Sequence, residues 1–291
     1  MSQSNETLRI LSIGAHPADI FDQSGGTMAH HVSRGDYVGC VVLTHGARIH
    51  DKVISDEMQR RSEVPAADEL LALMAERSDI KAEETRQACR LLGVEDIYFF
   101  GADDAVLTLT EEIVRRLAAL LRELRPNIIL THFPREGDVL TNPHAITGQI
   151  VMAAIQLAAA VDPGDTNPPH KVAQVFYFGT GAAASPRRQI WDADGGYYND
   201  VFIDITDVVD KKLASLDALE SQGYGGAYAR KRIETSDGAM GMAGGVPYAE
   251  AFISLHAETH YLLPVSQYAL NNARESDHER IRRVSFRVQV D

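Results

Sequence analysis

The sequence predicts an α/β protein built on a Rossmann-like, mostly parallel sheet flanked by helices. Three observations carry that expectation. The apolar runs are short and rich in Val, Ile and Phe, they are near-continuous rather than alternating, and helical patterns separate them. Strands of that kind are usually buried on both faces, as in parallel sheets. Strand then helix, repeated, gives the doubly wound arrangement.

The elements follow in order. Residues 8–15 (LRILSIGA) read as the first strand and 21–34 as a helix. YVGCVVLT (37–44) is the second strand. The stretch from about 48 to 79 exceeds a normal βα connection and carries mixed charge with apolar residues (ELLALMAE). It fits a lid, an oligomer contact or an extra helix. IKAEETRQACRLL (80–92) reads as a helix ended by Gly93 as a C-cap, and IYFFG (97–101) as a strand. A helix over 109–124 is opened by Thr110, with Glu111 and Glu112 in its first turn, and is closed by Pro126. NIILTH (127–132) is a strand, 145–160 a helix, 162–170 a Pro-rich loop and VFYFG (175–179) a strand.

After that the pattern changes. VFIDIT (201–206) reads as a strand and 207–222 as a helix capped by Thr206 or Asp207. The Gly and Tyr enrichment across 195–248 fits a substrate-covering loop or flexible surface. The organisation expected is one domain over 1–291, with a core of about 8–180 and a C-terminal extension of about 181–291.

Composition narrows the function. The chain has 291 residues, 45% hydrophobic and 24% charged, and a net charge of -13 from 28 basic and 41 acidic residues. That balance argues against nucleic acid or an anionic membrane as the main partner and leaves a small-molecule substrate. Cys40 and Cys89 sit in apolar or helical contexts without zinc or redox spacing, as reduced core thiols do. No apolar stretch reaches the roughly 18 residues of a membrane span. The start, MSQSNETLRI, lacks a secretory pattern, so a cytoplasmic protein is expected. Apolar residues near 64–75 suggest a homo-oligomer.

In a doubly wound sheet, ligands bind outside the carboxyl ends of the strands. The first strand is followed by His16, Pro17, Ala18 and Asp19. The second is followed by Thr44, His45, Gly46, Ala47, Arg48, His50 and Asp51. The fourth is followed by His132, Pro134, Arg135, Asp138, Thr141, Asn142 and His144. Three His-bearing loops thus converge on one edge, and His with carboxylate suits zinc or another divalent metal. Asp19 and Asp22 also fit as helix N-caps, and His30 and His31 as surface or packing residues.

AHPADI, followed by FDQSGGTMAHHVSRGDYVGCVVLTHG, resembles the amino-terminal signature of the LmbE-like, or PIG-L, deacetylases. ETRQACRLLGVEDIYFFG, RPNIILTHFP, NPHAITGQIV and PYAEAFISLH extend the resemblance over roughly 8–255. It implies a metal-dependent enzyme, usually on zinc, that removes an acyl group from an amide nitrogen of an amino sugar or related conjugate. It places the metal ligands on His16, Asp19 and His144, with Gly148 four residues on.

The departures concern proton transfer. The family's general-base carboxylate falls on Ala18, which cannot take a proton, and such help is worth about two to four orders of magnitude in rate. The family's other second-motif His falls on Thr141, and its Glu after the second strand on Ala47. Asp22, Asp138, His45 and His132 are possible substitute bases, with Asp22 first because it lies one helical turn after Asp19.

The first expectation is therefore a zinc-dependent hydrolase of a C–N amide bond, with a metal-activated water and a polar pocket holding few cations. The second is a hydratase or lyase similar to the 4-oxalomesaconate hydratases, which also carry His-x-Ala-Asp. It would need cationic contacts such as Arg48, Arg135, Arg187 and Arg188, the last two fitting a solvated pair equally well. The third is an inactive small-molecule binder. His132 and Asn142 join Arg48 and Arg135 as candidate substrate contacts.

Overall fold

The computed structural model describes residues 6–135, 140–178 and 199–286, apart from the side chain of Gln59. Its strands are β1 (Arg9–Gly14), β2 (Tyr37–Thr44), β3 (Asp96–Ala102), β4 (Ile128–Thr131), β5 (Gln174–Phe178), β6 (Val201–Asp204) and β7 (Ala249–Ser254). They form one sheet in the order β3-β2-β1-β4-β5-β7-β6. Neighbours from β3 to β5 are parallel, whereas β7 is antiparallel to both β5 and β6. Strands of the C-terminal extension thus continue the core sheet.

Alternation along the strands explains the unbroken apolar runs. Ile10, Cys40 and Val42 face one core, with Phe21, Met28, Leu92 and Leu216. Leu11, Ile13, Val41 and Leu43 face the other, with Leu117, Leu121, Ile150 and Val151. Successive side chains leave a strand on opposite faces, so a strand covered on both sides must be apolar throughout. The first face is covered by α1 (Asp19–Arg34), α3 (Ala67–Leu92) and α6 (Val209–Asp217), and the second by α4 (Glu111–Leu124) and α5 (Pro143–Ala158). Cys40 and Cys89 are buried and free.

Several elements differ from the sequence expectation. β3 is half exposed because it lies at the sheet edge. Arg116 covers it, donating to the Phe99 and Phe100 carbonyls at 2.9 Å, with its guanidinium 4.0 Å from the Phe100 ring centroid. Such cover blocks further strand pairing. The 48–79 stretch holds α2 (Lys52–Arg60) and the first half of α3, which runs unbroken for 26 residues because no Gly or Pro interrupts it before Gly93. Neither Thr206 nor Asp207 caps α6; its N-cap is Val208, and Thr206 bonds back to Asp204 instead. The 223–247 stretch folds into α7 (Ala227–Ile233), a π-helical turn (Glu234–Gly238) and α8 (Ala239–Gly244). Beyond β7 lie α9 (Gln267–Asn272) and α10 (Asp277–Val284). No helix among the described residues is long and apolar enough to cross a membrane.

Candidate metal centre and cleft

β1 lies between β2 and β4, so the chain leaves β1 and β4 toward opposite sides of the sheet. Ligands bind at such a switch point, and here it carries His16 and His132. The His16 backbone N–H donates to Asp19 Oδ2 at 2.7 Å, which folds the loop back on the first turn of α1. Asp19 Oδ2 also meets His132 Nε2 at 3.0 Å and His16 Nδ1 at 3.3 Å. Its Oδ1 lies 3.6 Å from His144 Nε2.

His144 arrives from the first turn of α5. Asn142 caps that helix, accepting from the Ala145 N–H at 2.8 Å, and Pro143 occupies its first turn. Gly148 sets how closely α5 approaches. A Cβ there would stand 2.5 Å from the His132 carbonyl oxygen and 2.8 Å from the Pro134 backbone. Without that Cβ, α5 settles on the loop after β4, and the His144 and His132 rings stack with centroids 4.4 Å apart and planes 4° from parallel.

His16, Asp19 and His144 each offer a ligand atom, all within 4.8 Å of one another. Burial alone would raise the Asp19 carboxyl; the imidazoles of His144, His16 and His132 outweigh it and hold that carboxyl well below its ordinary value. Burial lowers His16 and, helped by the His144 charge, pushes His132 down to about 4. His16 Nε2 is buried without a hydrogen-bond partner. A buried imidazole nitrogen needs a partner, and a divalent ion between two neutral imidazoles and an ionised carboxylate supplies one. The residues therefore fit such an ion.

The other candidates fall in different places. Asp22 is buried in a bidentate pair with Arg232 and is not among the residues that line the cleft. His132 is 1% exposed and stands behind Asp19 rather than at the cleft surface. His45 Nδ1 accepts from the Ala47 N–H at 3.0 Å and lies 3.3 Å from Asp104 Oδ1. Arg48 pairs with Asp103 at 2.6 Å. Thr141 is exposed just before the α5 cap, and Arg135 is partly buried in the loop after β4. Asp138, Arg187 and Arg188 lie outside the described residues.

A cleft of about 330 Å³ opens onto the triad, lined by His16, Ala18, Asp19 and His144 together with Ile49, His50, Asp51, Lys52, Ser55, Gln222 and Tyr224. The His50 ring lies 3.9 Å from that of His16, centroid to centroid. Behind it, buried Asp104 receives the backbone N–H groups of Arg48 and Ile49 at 3.0 and 2.7 Å, and its Oδ2 lies 3.5 Å from His50 Nδ1. These contacts outweigh the cost of burial and depress the Asp104 carboxyl. Sequence reasoning missed Asp104, although it follows β3 directly and the strand-end rule applies to that strand too. It also missed Gln222 and Tyr224, which tertiary folding alone brings to the cleft.

A family model described as PIG-L, GlcNAc-PI de-N-acetylase, matches residues 11–155. The chain belongs to the PIG-L family. That match spans β1 to α5 and contains all three metal-ligand candidates. The chain is 29% identical over 192 residues to a 1D-myo-inositol 2-acetamido-2-deoxy-alpha-D-glucopyranoside deacetylase of Streptomyces griseus, covering 58% of this chain and 54% of that protein. The chain therefore spans about half the length of that deacetylase. It is 26% identical over 217 residues to a 4-oxalmesaconate hydratase of Pseudomonas putida, with 74% of each chain covered. Its fold matches that of the N,N'-diacetylchitobiose deacetylase of Pyrococcus horikoshii with a TM-score of 0.67 at 20% identity, over 86% of this chain and 84% of that one. PIG-L relatives are thus enzymes of two reaction types, deacetylation and hydration. Within this family the chain carries Ala18 between Pro17 and Asp19.

Proposed function

We propose that the protein is a metal-dependent hydrolase that cleaves a C–N amide bond in a polar, uncharged substrate such as an acylated amino sugar. The observation that carries this reading is the character of the cleft. Beyond the triad, its described lining offers His50, Asp51, Lys52, Ser55, Gln222 and Tyr224, and no arginine. A polyacid substrate calls for several cations aimed at the metal. An acylamino group calls for neutral donors and acceptors. The deacetylase relatives support the same reading.

His16, Asp19 and His144 would hold the ion, zinc first among divalent metals. When bound, it supplies Lewis-acid activation of water and of the scissile carbonyl. The surrounding imidazoles hold the Asp19 carboxyl well below its ordinary value, which favours the ionised form that a metal needs. His50 takes the place of the base missing at Ala18. With Nδ1 turned to Asp104, Nε2 is the ring nitrogen left to take the proton of the attacking water and return it to the leaving amine. The substrate is a small molecule, and exposed Val64 and Leu71 support pairing with a second copy of the chain.

A second reading, hydration of an unsaturated carboxylated acid, is favoured by Ala18 and by the hydratase relative matched over 74% of both chains. One experiment separates them. Zinc-loaded protein is assayed in parallel for amine release from N-acetylated amino sugars and for loss of ultraviolet absorbance from conjugated unsaturated acids. Amine release supports the hydrolase. Absorbance loss without amine release replaces it with the hydratase, and neither signal leaves a binding protein.

A further inference from the structure

Gln222 and Tyr224 bring the C-terminal extension to the cleft, from the end of a 3-10 turn (Glu220–Gln222) and the second residue after it. That turn is clamped from below. Ser221 donates to Glu84 through its backbone N–H at 2.9 Å and its hydroxyl at 2.6 Å. Lys81, fully buried on α3, donates to Ser221 Oγ at 3.1 Å and to the His50 carbonyl at 3.0 Å. One ammonium group therefore ties both walls of the cleft to α3.

Against this rigid setting, Gln222 is anomalous. Its Nε2 is buried and has no hydrogen-bond partner. A buried donor without an acceptor costs free energy, and fraying of the turn does not account for it, because the residue before is pinned by two partners. Tyr224 stands beside it on the same wall. Burial, reinforced by the charges of Asp22 and Asp19, raises its hydroxyl above the ordinary value, so the group stays protonated and able to donate.

We propose that Gln222 and Tyr224 contact the substrate, their carboxamide N–H and phenol O–H donating to a carbonyl or carboxylate oxygen seated over His16, Asp19 and His144. The proposal rests on the cleft reading given above and extends it, assigning acceptor recognition to a segment outside residues 11–155, the span of the family model. The chemistry is the same for the acyl oxygen of an amide, the acetate released from it, or a carboxylate of an unsaturated acid.

The test uses zinc-loaded full-length protein and acetate as the probe, titrated by NMR, with zinc content and melting temperature measured on each variant. Gln222→Met keeps the shape and removes the donor; Tyr224→Phe removes only the hydroxyl. We expect acetate affinity to fall about tenfold or more in Gln222→Met, as for loss of a hydrogen bond to a charged group, and to fall in Tyr224→Phe. Zinc content should stay unchanged. The ligand-free melting temperature of Gln222→Met should hold or rise, because an unsatisfied donor has been deleted. Equal affinity in wild type and Gln222→Met, a fall in the ligand-free melting temperature, or no acetate binding by the wild type overturns the proposal. Amine-release assays run alongside separate it from the hydrolase reading. No amine release with Gln222-dependent acetate binding removes the hydrolase and keeps this site. Full amine release by Gln222→Met does the reverse.

Discussion

The imidazole of His50 rests on that of His16, centroids 3.9 Å apart and planes 44° to one another. A loop histidine thereby reaches the candidate metal centre where position 18 offers only a methyl group.

That placement makes the first prediction. His50→Gln should lower turnover by about two to four orders of magnitude with zinc content unchanged, the usual size of general-base help. Ala18→Asp in the same background should restore part of the rate by returning a carboxylate to the cleft. Steady-state kinetics with elemental analysis of zinc decides it, and an undiminished rate in His50→Gln excludes the role.

Asp104 is the post behind that loop. Asp104→Ala leaves the Arg48 and Ile49 N–H groups without their acceptor, at a cost of roughly 1–3 kcal/mol each if they stay buried. Urea titration should show the loss, and turnover should fall as His50 loses its anchor. Zinc content should persist, because Asp104 does not belong to the triad.

Metal content tests the triad itself. Wild-type protein should carry about one zinc per chain, the stoichiometry of a three-ligand site with an open position. His16→Ala and Asp19→Ala should both lose it. Retention of zinc in either variant would place the ion elsewhere.

Gly148→Ala should be costly for so small a change. The added methyl meets backbone atoms of His132 and Pro134, which cannot swing aside as a side chain can. Overpacking of this kind costs typically about 1–3 kcal/mol. The spacing of His144 from Asp19 should open with it, so thermal melts and zinc affinity should fall together.

The last prediction concerns pH. Lys212 Nζ donates to Asp237 at 2.9 Å and to Glu250 at 2.8 Å, all three buried. Burial, together with the Glu250 charge and against the pull of Lys212, pushes Asp237 up to about 7 from 3.8. Between those values the native state holds a proton that the unfolded chain has released. Its stabilising effect is complete below the unfolded value and is lost as pH rises through about 7. Asp237→Asn should flatten that part of the stability curve, measured by urea midpoints at a series of pH values. An identical slope in both proteins would exclude Asp237 as its source.

Much of the fold was legible because burial on both faces writes itself into composition. β2 coincides with YVGCVVLT to the residue. β7 was less visible: its AEAFIS includes Glu250, a charge that reads as surface yet is buried, accepting from the Gly26 and Thr27 N–H groups and from Lys212. The site divided in the same way. His16, Asp19 and His144 stand at strand and helix ends, where chain position implies spatial position. Asp22 shares the helix of Asp19, but its partner Arg232 is 210 residues away, and no local pattern foretells that pairing. Gln222 and Tyr224 were hidden for the same reason.

The anchoring of the 220–224 wall has a consequence for engineering. Its polar hold on α3 passes through Ser221, to Glu84 and Lys81, and Tyr224 adds apolar packing on the core and on the Tyr228 ring, while Gln222 lines the cleft with an unpartnered donor. The segment behaves as a cassette with two fixed points, Ser221 and Tyr224, and one changeable contact, Gln222. Libraries that keep Ser221 and Tyr224 and randomise position 222 would retune which molecules dock, and the His16, Asp19 and His144 half of the cleft would not have to be rebuilt.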